Sequence, residues 1–105
     1  MNHFENVTVI RSANIYFDGK VTSRTVQFAD GGVKTLGVML PGEYEFNTGK
    51  AELMEIQSGS ARILLPQETE WRSVEGGESF NVPANSSFKI TVASVVDYCC
   101  SFLDD

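Results

Sequence analysis

Apolar and polar residues along this chain alternate in short runs, and no stretch keeps the three-to-four spacing of an amphipathic helix. The runs are rich in Val, Ile, Thr, Phe and Tyr, and Gly, Asp, Asn and Pro interrupt them at intervals near ten residues. That punctuation is the mark of a sandwich or a barrel. Strands are predicted over 14–17, 20–28, 34–40, 43–48, 51–57, 61–65, 71–74, 79–82, 87–92 and 96–103. Asp18-Gly19 between two such runs predicts a hairpin turn. Further turns are expected at Asp30-Gly31-Gly32, Pro41-Gly42, Ser58-Gly59-Ser60 and Glu75-Gly76-Gly77, with a polar loop from Pro66 to Glu70. Repeats and low-complexity tracts are absent, so residues 1–105 read as a single all-β domain. Residues 1–10 read either as a mobile tail or as a strand that caps a sheet edge.

Composition adds bounds rather than a function. Hydrophobic residues make up 42% and charged residues 21%, which is globular composition and excludes a disordered chain. No run approaches the roughly 20 apolar residues of a membrane span. The first residues carry neither a basic nor a long apolar region, and a cytoplasmic protein without a signal peptide is expected. The net charge of −6 disfavours nucleic acid or an anionic membrane as partner. A small anion stays open, because a local pair of cations can hold one on an acidic protein. Cys99 and Cys100 are neighbours, outside ordinary disulfide geometry and on opposite faces of any strand. Reduced thiols are expected.

Two segments carry the spacing of the cupin motifs, G-x5-H-x-H-x3,4-E-x6-G and G-x5-P-x-G-x2-H-x3-N. Six residues before Gly59 stands Glu52, and three residues before that stands Thr48, so Phe46 and Thr48 occupy the two His positions. Gly77 is followed after five residues by Pro83, Asn85 replaces the motif's Gly, and Phe88 replaces its His. The frame therefore predicts a single cupin (jelly-roll) barrel, with Phe46 and Thr48 on one face and Glu52 returning on the facing strand of the same wall. One carboxylate with Phe, Thr and Phe offers too few ligands for a first-row metal, so no metal site is expected. The single histidine, His3, lies in the tail.

Across nearly its full length the chain resembles the pyrimidine/purine nucleoside phosphorylase family, a group of small cupins. The stretches that carry the likeness are Ala13 to Val21, Leu36 to Phe46 and Phe80 to Phe88, with the ending Tyr98-Cys99-Cys100. The resemblance implies reversible phosphorolysis of many nucleosides to free base and pentose 1-phosphate, inorganic phosphate as co-substrate, and a homodimer. It implies no other cofactor.

Phosphorolysis through an oxocarbenium-like transition state needs an anion cradle, a grip on the ribose and a place for charge on the departing base. Glu52 is the candidate catalytic residue, to hold ribose hydroxyls or to stabilise positive charge near C1′. Tyr44, Phe46 and Phe88 share its register and suit a flat base; Thr48 offers a hydroxyl, and Tyr98 is a further candidate for substrate contact. For phosphate, Arg24 and Arg62 rank ahead of Lys34, because a guanidinium binds phosphate through two parallel bonds. Inward aromatics also simply fill barrels, and lone cations are usually solvated. Two functional readings stay open. One is a metal-independent nucleoside phosphorylase; the other is a metal-free cupin that binds a sugar or nucleoside without turnover. The missing histidines argue against a metal dioxygenase or a sugar isomerase.

Overall fold

A computed structural model describes residues 3–103. Eleven strands appear: β1 (Thr8–Val9), β2 (Asn14–Tyr16), β3 (Val21–Gln27), β4 (Val33–Met39), β5 (Gly42–Asn47), β6 (Ala51–Ser58), β7 (Ser60–Leu64), β8 (Arg72–Glu75), β9 (Ser79–Val82), β10 (Ser87–Val92) and β11 (Val96–Leu103). No α-helix occurs among the described residues; the single helical piece is a 3₁₀ turn, Phe17–Gly19. The larger sheet has the order β1-β3-β4-β11-β6-β9, with β2 also lying along β3, and the smaller sheet has the order β5-β10-β7-β8. Every pairing is antiparallel. The two sheets face one another across a shared core in an all-β, jelly-roll-like arrangement, in line with the alternation.

Strand alternation decides what enters the space between the sheets. Val21, Met39, Met54, Ile56 and Val96 point inward from the larger sheet, and Ile63, Val74, Ile90 and Val92 from the smaller. Ile90 and Val21 are fully buried. Such a side chain contributes about 1.5–3 kcal/mol of hydrophobic stabilisation. The glycine that ends the first motif has a steric reason. Gly59 sits at φ +89° in the β6–β7 turn, and a Cβ there would stand 2.5 Å from the Val95 carbonyl oxygen.

Four details differ from the pattern-based expectation, the first being that Glu52 lies on β6 of the larger sheet and not on the same wall as Phe46, which lies on β5 of the smaller. Thr8–Val9 pairs with Val26–Gln27, so part of the N-terminal segment runs along the edge of β3; Met1 and Asn2 of that segment lie outside the described residues, as do Asp104 and Asp105 of the domain. Two residues are too few to show alternation. The strand expected at 71–74 spans Arg72–Glu75, leaving Trp71 outside it. The Asp18-Gly19 turn is wider than a two-residue hairpin, because Phe17 and Asp18 also take positive φ, 52° and 56°.

Candidate functional site

Between the sheets, at one end, lies a cavity of about 270 Å³. Its floor is the inner face of the larger sheet, where the registers place Ser23 beside Gly37 and Tyr98, Thr35 beside Cys100, and Glu52 beside Phe102. Phe46 and Phe88 of the smaller sheet form its roof, paired in register with rings stacked at 5.6 Å. Tyr16, Asn47 and Gly49 also line it. The cavity is thus apolar above and hydroxyl-bearing below, and among the described residues it carries one carboxylate.

Glu52 is half-buried, and this desolvation pushes its carboxyl above the usual range; a hydrogen bond with the Cys100 thiol offsets part of the rise. Burial likewise pushes the Tyr98 phenol and the Cys100 thiol far up, and both are also raised by the negative charge of Glu52. Both therefore stay protonated at neutral pH. Tyr98 hydrogen-bonds Ser23, and Cys100 hydrogen-bonds Thr35. The chain of polar contacts continues to β2, where Asn14 Nδ2 donates to Ser23 Oγ and to Thr25 Oγ1, each at 3.2 Å. The cavity floor is a connected set of neutral donors around one carboxylate.

Of the residues expected from the sequence, Glu52, Phe46, Phe88 and Tyr98 meet in this cavity. Thr48 and Tyr44 do not line it. The Thr48 hydroxyl donates to the Pro83 carbonyl at 2.7 Å and accepts from the Ser86 amide at 3.0 Å, so it fastens the 83–86 loop to the end of β5. Tyr44 is buried, its hydroxyl donating to the Leu40 carbonyl at 2.5 Å. The three cations expected to hold phosphate stand on outer faces. Arg24 pairs with Leu36 and donates to the Arg11 carbonyl, Lys34 lies 5.4 Å from the centre of the Phe4 ring, and Arg62 is exposed opposite Thr91 and Ser73. Alternation is the reason: each sits one residue out of phase with its strand's inward positions.

Tyr16, Ser23, Thr35 and Cys100 were not singled out from sequence as site residues, yet they line the cavity. For Cys100, alternation from Tyr98 in β11 was a usable signal, since residues two apart share a face. Cys99 faces the other way, buried, with Glu55 and Lys34 as charged neighbours. Both cysteines are free thiols. Among the described residues, no group of three or more His, Cys, Asp or Glu side chains is arranged to hold a metal ion. No helix of the described residues is long and apolar enough to cross a membrane.

Comparison with known proteins places this geometry. Residues 11–102 match the family described as pyrimidine/purine nucleoside phosphorylase. The chain is 64% identical over 104 residues to a pyrimidine/purine nucleoside phosphorylase of Hydrogenovibrio crunogenus, covering 99% of this chain and 100% of the relative. It is equally similar, 64% over 104 residues with the same coverage, to the protein of that name from Geotalea uraniireducens. A crystal structure of a protein of unknown function from Acinetobacter sp. ADP1 superimposes with a TM-score of 0.94 at 47% identity, covering 96% of this chain and 98% of the other.

Proposed function

The chain belongs to the pyrimidine/purine nucleoside phosphorylase family, and on that premise we propose that it cleaves purine and pyrimidine nucleosides with inorganic phosphate, in the cavity around Glu52 and without a metal. The observation that carries this reading is the chemistry of the cavity lining. Glu52 is its single carboxylate among the described residues, set between an aromatic roof and a floor of neutral hydroxyl and thiol donors.

In the reaction, a phosphate oxygen forms a bond to C1′ while the C1′–N bond breaks and its electron pair leaves with the base. Positive charge builds on the ribose ring, and a carboxylate in a partly desolvated site stabilises it more strongly than one in water. Negative charge builds on the base, where Tyr98, kept protonated by burial, is a neutral donor suited to receive it. Faces of Phe46 and Phe88 accept a flat ring without reading its edge, which agrees with action on both base classes. Metal independence is supported by the side chains themselves, since Phe46, Thr48 and Phe88 stand where cupins place histidines. The reading includes a homodimer in the cytoplasm, with phosphate as co-substrate and no cofactor. The net charge of −6 fits small-molecule partners better than nucleic acid or a membrane surface.

The test is release of free base from uridine and inosine by chelator-treated protein, with and without phosphate. Phosphate-dependent release of both bases is expected. Tight nucleoside binding with no release would replace this reading with that of a non-catalytic binding protein, and activity lost on chelation and restored by a metal would remove metal independence.

A further inference from the structure

Tyr16 and Phe17 are consecutive, yet their rings meet the same partner. Tyr16 lies 6.4 Å from Phe46 at an interplanar angle of 79°, and Phe17 lies 5.4 Å from Phe46 at 86°. Neighbours in a strand point to opposite faces, so this convergence needs a break in the backbone. The break is present. Tyr16 is extended at φ −127°, ψ 153° and pairs with inward-facing Val21, which directs its ring toward the cavity. Phe17 then turns to φ +52°, a region that a bulky residue seldom occupies, and Asp18 and Gly19 follow at +56° and +91°. The Phe17 ring packs onto Tyr44 at 4.9 Å, an anchor that is itself buried and hydrogen-bonded to the Leu40 carbonyl.

Burial does not account for Tyr16. It stays 45% exposed while lining the cavity mouth, and its ring stands nearly perpendicular to Phe46 rather than packed flat on it. The result is an aromatic rim at the cavity mouth, with Tyr16 set edge-to-face on Phe46 and part of its ring open to solvent. One side of the rim is fixed by the stack of Phe46 on Phe88, and the other is carried on the strained Phe17–Gly19 turn.

We propose that Tyr16 is a substrate-contacting residue that stacks on the nucleobase through the part of its ring left open at the cavity mouth, with the ribose directed toward Glu52. The proposal rests on the phosphorolysis reading for the identity of the ligand. Stacking acts on the π-face that every base has, so both a purine and a pyrimidine are held by the same ring. The Tyr16 hydroxyl is not needed for this, and a phenylalanine serves as well.

The test compares Tyr16→Ala and Tyr16→Phe with the parent protein, each checked for its fold by circular dichroism. Equilibrium dialysis gives the Kd for inosine and for uridine without phosphate, and steady-state kinetics follow with phosphate. Tyr16→Ala is expected to weaken binding of both nucleosides about tenfold or more. It should raise KM for both by a similar factor, while kcat and the KM for phosphate change less than about threefold. Tyr16→Phe should stay within about twofold of the parent throughout. A Tyr16→Ala protein that binds both nucleosides within about twofold of the parent overturns the proposal. If the parent binds nucleosides but releases no base, the phosphorolysis reading fails and the dialysis result alone decides the role of Tyr16. If the parent binds neither nucleoside, both fall.

Discussion

The ring of Tyr98 lies directly against the α-carbon of Gly37: a Cβ built on Gly37 would stand 2.6 Å from the ring's Cζ and 2.5 Å from the carbonyl oxygen of Thr22. Neither neighbour is the loose end of a flexible chain. The carbonyl belongs to β3, and Tyr98 is buried with its hydroxyl bonded to Ser23. Gly37 therefore sets the height of the cavity floor. Gly37→Ala should destabilise the protein by about 1–3 kcal/mol, the range for overpacking, and should also lower activity by displacing Tyr98. Thermal unfolding together with nucleoside cleavage checks both. A variant that melts with the parent and retains full activity would show that the floor yields without consequence.

Thr48 separates a structural role from substrate contact. Its hydroxyl is shared by the Pro83 carbonyl, the Ser86 carbonyl and the Ser86 amide. Thr48→Val keeps the shape and removes the part-buried hydrogen bonds to the Pro83 carbonyl and the Ser86 amide, which costs about 1–3 kcal/mol for the two. Chemical denaturation should show that loss, while KM for inosine and uridine stays within about twofold. A large rise in KM with unchanged stability would return Thr48 to the substrate.

Burial raises the carboxyl of Glu52, so in the native state it holds its proton to higher pH than in the unfolded chain. Over the interval between those two values the native state binds more protons, and stability falls as pH rises through it. The penalty is fully present above the raised value and absent below the ordinary carboxylate range. Glu52→Gln is therefore expected to melt higher than the parent at neutral pH, with the difference shrinking toward zero as the pH falls to about 4 and below. Parallel melts across this range check the sign. A Glu52→Gln protein that melts lower than the parent at pH 7 and equal to it in acid would mean that the carboxylate is net stabilised in the fold.

Much of this was legible in the sequence because a strand's period of two links one known position to the rest. Motif spacing places Glu52, Phe46 and Phe88 on the interior, and Tyr98, a further candidate without a register argument, meets them there. The period of two, applied to the cations, shows why Arg24, Lys34 and Arg62 fail to reach the cavity: Ser23, Thr35 and Ile63 beside them hold the inward positions. Thr48 defeated the pattern differently. It occupies a motif position, but the chain has left β5 by then, and its hydroxyl is taken by the 83–86 loop. Tyr44 does face inward, yet it is spent on the Leu40 carbonyl and the Phe17 ring. Tyr16 was hidden for a further reason. Its place at the mouth depends on three consecutive positive φ values, and Asp18-Gly19 announces a turn without showing that Phe17 joins it.

The role of Glu52 at the reacting centre is tested most directly by kcat/KM for phosphorolysis of inosine in Glu52→Gln, an isosteric change that removes the charge and keeps the shape. Among the described residues, the site that surrounds it, with neutral Tyr98, Cys100, Thr35 and Ser23, has no second carboxylate in the cavity lining to replace it. A fall of about 100-fold or more is expected, the scale on which loss of one preorganised electrostatic group is felt, with the fold intact by circular dichroism. A variant that is folded and retains kcat/KM within about threefold of the parent would contradict the account and take the reaction away from Glu52.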